Sequence, residues 1–142
     1  MNTRKNEVSK NLTLFEKIIN KEIPSVFLYE DEICVVIMDK FPSTEGQTLV
    51  IPRKPIDYIF DLDDETYKHI FKVAKKIALA SDVALNTIRT CLVVEGFEVP
   101  HVHIRLYPVK YGEPLDIKSG EIKENDELSL IANKIKEKLS QF

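Results

Sequence analysis

The segment His101-Val102-His103-Ile104-Arg105-Leu106-Tyr107 reads as a β-strand, with aliphatic residues alternating against polar ones. Strand side chains project to opposite faces in turn, so Val102, Ile104 and Leu106 share one face and His101, His103 and Arg105 the other. The aliphatic row must face a core. The opposite row sets two imidazoles and a guanidinium side by side, and this reading expects them to line an open pocket.

The neighbouring sequence supplies a sheet for this strand. Val26 to Glu30 and Ile33 to Met38 are β-rich runs around Asp31-Glu32, a hairpin pattern. Lys40 to Gln47 carries Pro42, Ser43, Thr44 and Gly46 and reads as a loop, followed by a third strand from Thr48 to Ile51. Thr90 to Glu95 is a fourth. Ahead of the strands, Thr13 and Glu16 form a capping box for a short helix with an apolar stripe of Leu14, Phe15, Ile18 and Ile19. Asp61, Asp63 and Asp64 suit the start of a longer helix running to about Asp82. Its Tyr67, Ile70, Phe71, Ala74, Ile77 and Ala78 face inward, with Lys68, Lys72, Lys75, Lys76 and His69 on the wet side. A last amphipathic helix, about Asn125 to Ser140, buries Leu128, Ile131, Ile135 and Leu139. Hairpins with segregated helices give an α+β class, a five-stranded antiparallel sheet with packed helices. The chain divides into a polar tail (1–10), a domain (11–110) and a C-terminal extension (111–142) whose helix packs on that domain.

Composition narrows the function. At 142 residues the chain suits a single domain. A net charge of -3 argues against non-specific binding of nucleic acid, which needs a basic footprint. No apolar run approaches the roughly 20 residues of a bilayer crossing. The first ten residues hold no apolar core of a secretory signal, so a cytoplasmic location is expected. Cys34 and Cys91 lie apart in apolar runs and read as buried reduced thiols. With no Cys-x-x-Cys pair, a structural zinc site lacks its usual sulfur ligands.

Two chemistries fit an aligned imidazole pair. One is metal binding through His101 and His103, which needs a further ligand and suffers from the charge of Arg105. The other is nucleophilic attack on phosphorus. A neutral imidazole attacks, while a cation steadies the phosphate oxygens. Arg105 can grip phosphate with paired donors, and its fixed charge disfavours imidazolium, keeping His103 nucleophilic. Phosphate chemistry is the better fit.

The same segment resembles the histidine triad signature, His-x-His-x-His, with Arg105 in the third place. The likeness continues through Leu14 to Pro24, Tyr29-Glu30-Asp31, Val36 to Asp39, Gly46 to Pro52 and Asp61-Leu62 with the helix behind it. It spans about residues 12 to 108. The resemblance implies a histidine triad fold, a homodimer joined sheet edge to sheet edge, and hydrolysis or transfer on a nucleoside phosphate derivative without cofactor or metal. It implies that His103 is transiently nucleotidylated and that His101 orients it. Asp39 would accept hydrogen bonds from the ribose hydroxyls, and Leu14, Phe15, Ile18 and Ile37 would hold a purine.

Four positions depart from the family pattern. Arg105 replaces a histidine and cannot shuttle a proton, although some related transferases carry glutamine there and remain active. Val94 to Pro100 is shorter than the usual phosphate loop, lacks its Gly-Gln-Ser/Thr donors and places Glu98 close by. Pro55 stands where many members have histidine. The cysteine pair near the start is absent, as in many members. The rival readings are therefore a nucleotide-binding or regulatory module that has lost turnover, and a metal-dependent hydrolase using His101 and His103.

Overall fold

Thr13 opens the chain's first helix, α1 (Leu14–Ile19), with the expected capping box. Its Oγ1 accepts the Glu16 amide at 3.1 Å, and Glu16 Oε1 accepts the Thr13 amide at 3.0 Å. Six residues are too few for a helix to persist alone. Phe15 and Ile18, both buried, hold it against the sheet. The computed structural model describes residues 11–110, 112, 114–118 and 120–142; the polar tail expected at residues 1–10 lies outside them.

Five strands follow the predicted runs to within two residues, save the last. They are β1 (Phe27–Glu30), β2 (Cys34–Met38), β3 (Thr48–Pro52), β4 (Arg89–Val93) and β5 (Ile104–Val109). All pairings are antiparallel, in the order β1-β2-β3-β5-β4. The last strand begins at Ile104 rather than His101. The His101 amide donates to Val99 and the Val102 amide to Ile56, each at 2.8 Å, so His101 and His103 sit on a bonded approach to the strand. The β3–β5 ladder stops at Val50 and Ile104, short of Pro52, which has no N–H to offer.

Every residue of β2 and β3 is buried, because both sheet faces are covered. Cys34, Val36, Met38, Val50, Ile104 and Leu106 face one core. The long helix α2 (Asp64–Leu85) and the last helix α3 (Asn125–Lys136) cover that side. Val35, Ile37, Leu49 and Ile51 face the opposite way, onto Phe15 and Ile18 of α1.

Asp63 caps α2 through the Thr66 amide, and Asn86, in the left-handed conformation, ends it three residues beyond Asp82. Ile70, Ala74 and Ile77 are buried as expected, with Val73, Ala80 and Ser81 beside them. Leu128 and Ile135 of α3 join the same core. That helix closes at Lys136, and Leu139–Gln141 continues as a 3-10 turn.

Candidate active site

The sheet register brings the reactive row together. Ile37 pairs with Leu49, Leu49 with Arg105, and Arg105 with Val93, so one line of side chains crosses four strands on the α1 side. His103 and His101 extend that face from the start of β5. Contrary to the open pocket expected, His101 is fully buried and His103 is 2% exposed. The reason is α1. Its Phe15 ring meets the His103 ring edge-on at 4.8 Å and the His101 ring at 5.7 Å.

Hydrogen bonds fix both tautomers. His103 Nδ1 lies 2.8 Å from the His101 carbonyl oxygen. A carbonyl can only accept, so Nδ1 carries the proton and Nε2 keeps its lone pair. That Nε2 is buried without a hydrogen-bond partner among the described residues. Leaving a buried acceptor unpaired costs about 1–3 kcal/mol. His101 is committed at both nitrogens. Nε2 donates to the Pro52 carbonyl at 2.7 Å, and Nδ1 accepts from the Thr13 hydroxyl at 2.8 Å. The capping residue of α1 therefore also holds the first imidazole. With both nitrogens engaged, His101 offers no lone pair to a metal, and a His101–His103 metal pair does not fit this geometry.

Burial pushes both imidazoles below their ordinary pKa, against the carbonyl bonds that favour the charged form. Arg105 adds to the lowering at His103, while Asp39 and Glu95 oppose it. The guanidinium itself loses from burial, but Tyr107, Asp39 and Glu95 more than offset this and hold it above its ordinary value. Arg105 Nη1 bonds Glu95 at 3.3 Å, and Nη2 lies 3.9 Å from Glu98. The loop flagged for its missing donors thus presents two carboxylates to the cation.

Asp39 is aimed by its loop. Oδ1 accepts the Phe41 amide at 2.9 Å, and Oδ2 accepts Gln47 Nε2 at 2.7 Å. Gln47 is buried, and its own Oε1 accepts the Ser43 amide and hydroxyl. Each Asp39 oxygen retains a lone pair for a further donor.

A cavity of about 350 Å³ gathers Leu14, Phe15, Ile18, Ile37, Asp39 and Arg105 along its wall. Six of the eight residues singled out from sequence therefore line one space, and His103 lies directly behind Phe15. Leu49 and Val99 also line it, and sequence reasoning missed both. Leu49 could have been found as the residue paired with both Ile37 and Arg105. Thr13 and Gln47 were missed as positioning residues; nothing local marks their partners. His69 was expected on the wet face of α2 but is half-buried, with Nε2 2.6 Å from Asp31. Arg53 and Lys54 pair with Glu30 and Asp63.

Known proteins share this fold. The HIT domain matches residues 20–110. An uncharacterized HIT-like protein of Borreliella burgdorferi is 34% identical over 87% of this chain and 91% of its own. A Hit-like protein from Bartonella henselae, described as involved in cell-cycle regulation and solved with an unknown ligand, superposes with a TM-score of 0.83 at 31% identity. That match covers 91% of this chain and 97% of the other. A hypothetical histidine triad nucleotide-binding protein from Sulfolobus tokodaii gives 0.80 at 29% identity, over 89% and 91%. Likeness of sequence and of backbone over nearly the whole of both chains means common descent, and the chain belongs to the HIT family.

Proposed function

We propose that this protein is a nucleotide-binding hydrolase or transferase that cleaves a nucleoside phosphate derivative through a bond between His103 and phosphorus. The observation that carries this reading is the His103 imidazole, locked by the His101 carbonyl with Nε2 unprotonated and without a partner among the described residues. The purine lies against Leu14, Phe15, Ile18 and Ile37, Asp39 accepts from the ribose hydroxyls, and Arg105 grips the α-phosphate. The Nε2 lone pair forms the N–P bond while the bond from phosphorus to the leaving group breaks. Arg105, standing where the family's third histidine would be, cannot give up a proton. The departing group takes its proton from water. A second water then cleaves the N–P bond, releasing nucleoside monophosphate and restoring the imidazole. Two easier displacements replace one hard one.

In this reading the working unit is a homodimer joined through β4. Its support is that β4 is an edge strand whose Leu92 is 44% exposed. Both cysteines are free thiols, which accords with a cytoplasmic setting. No helix of the described residues is long and apolar enough to cross a membrane.

A specific observation favours a second reading, a module that binds nucleotide without turnover: Glu95 and Glu98 already engage Arg105. One assay separates the two. The protein is incubated with an adenosine phosphoramidate or a dinucleoside polyphosphate, with and without chelator, and AMP release is followed. The enzyme reading expects chelator-insensitive release, abolished by His103→Ala, and a nucleotidyl-histidine trapped by mass spectrometry. Tight AMP binding without release supports the module, and release lost with chelator counts against both readings.

A further inference from the structure

We infer that Asp31, Cys34 and His69 form a binding site for a borderline-soft divalent ion such as Zn²⁺, on the sheet face opposite His103. Three separate elements supply the donors: the β1–β2 turn, the first residue of β2 and the second turn of α2. Their ligand atoms all lie within 4.8 Å of one another. His69 Nε2 is 2.6 Å from Asp31 Oδ2, and Cys34 Sγ is 3.9 Å from the same oxygen. A tetrahedral ion with bonds of about 2.0–2.3 Å sets its donors about 3.3–3.8 Å apart. The sulfur–oxygen separation has to close by a few tenths of an ångström, roughly 0.1–0.4 Å, and the imidazole–carboxylate pair to open by less than about 1 Å.

The donors are held in place beforehand. Asp31 Oδ1 accepts the Ile33 and Cys34 amides at 2.8 Å each, and Oδ2 accepts the Tyr29 hydroxyl at 2.8 Å. Such supporting bonds are what orient the ligands of metal sites. A mixture of sulfur, nitrogen and oxygen selects Zn²⁺ and its neighbours over Mg²⁺ or Ca²⁺. Carboxylate and thiolate together neutralise a divalent ion, which matters because Arg53 and Lys76 are nearby cations. Arg53 Nε donates to the Asp31 carbonyl at 2.8 Å, and Lys76 Nζ lies 5.8 Å over the Tyr29 ring.

On the helix side, His69 borders a depression of about 530 Å³ that Tyr29, Lys72, Val73 and Phe142 also wall. The His69 and Asp31 side chains are 29% and 22% exposed, so water can fill the fourth position. Binding displaces the thiol proton to solvent, and the imidazole carries its remaining proton on Nδ1 so that Nε2 faces the ion.

The experiment uses the full chain, stripped with chelator and dialysed. Co²⁺ is titrated while thiolate-to-cobalt charge-transfer absorption is followed, and Zn²⁺ binding is measured by calorimetry. The expected result is one equivalent of either ion with a thiolate band. Cys34→Val and His69→Gln should each weaken binding at least about 100-fold, while Cys91→Ser leaves it unchanged. His103→Ala should bind the ion as the parent does, which separates this site from the nucleotide reading. The inference is overturned by the absence of a thiolate band, by a band that survives Cys34→Val or His69→Gln, or by one that needs Cys91 or His103. Should Cys34→Val fail to fold, His69→Gln decides alone.

Discussion

Replacing Thr13 with valine keeps the shape of the side chain and deletes one hydroxyl that serves two partners. That hydroxyl accepts the Glu16 amide at 3.1 Å, as the cap of α1, and donates to His101 Nδ1 at 2.8 Å. Losing the cap costs about 1 kcal/mol. His101 is 0% exposed, so its Nδ1 is left as a buried acceptor with no donor, costing about 1–3 kcal/mol more. The sum is about 2–4 kcal/mol. For a chain of this size each kcal/mol lowers the melting temperature by roughly 3 °C, so Thr13→Val should melt about 6–12 °C below the parent. Thr13→Ser keeps both bonds and should stay within about 1 kcal/mol. Thermal and urea unfolding of the three proteins, followed by circular dichroism, makes the comparison. A Thr13→Val loss of no more than about 1 kcal/mol, the cap alone, would refute the claim that this residue holds the imidazole.

Further outcomes can be checked beside it. The folded pKa values of His101 and His103 lie below their ordinary 6.5, so between the two values the unfolded chain binds more protons than the folded one. Stability should therefore be full above about pH 6.5 and fall as pH drops through that value, and His103→Gln should flatten this acid limb in urea melts at stepped pH. Asp39→Asn should weaken AMP binding about tenfold, from the loss of charge-assisted bonds, with little further loss for 2′-deoxy-AMP; equal losses for both nucleotides would count against ribose contact. Glu95→Gln frees Arg105 from a partner at 3.3 Å that is 30% exposed, a pairing worth about 0.5–1 kcal/mol after solvent screening. AMP should then bind about two- to fivefold tighter by calorimetry, and unchanged affinity would mean that the carboxylate does not compete with phosphate.

Local signals carried much of the fold. The Thr13–Glu16 box, the alternation around Ile104 and the apolar stripe of α2 each lie within a few residues, where periodicity and side-chain-to-backbone bonding act directly. The continuous apolar runs of β2 and β3 also announced burial on both faces, yet the covering of the histidine face by α1 was not read from them. What stayed hidden depends on distant partners. Thr13 and His101 are 88 residues apart and Asp31 and His69 are 38 apart, so no pattern within one element links them. His69 shows the limit well. Its helical phase suggested the solvent side, and only the β1–β2 turn folding against α2 supplies the carboxylate that draws it in.

The acceptor that sets the protonation of His103 belongs to the main chain of residue 101, not to any side chain. No substitution of the residue-101 side chain can delete it. Evolution could therefore exchange the first imidazole of this pair for another group while His103 kept the same free electron pair. Freedom for the side chain at position 101, with a fixed tautomer at position 103, would follow from where a single peptide oxygen lies.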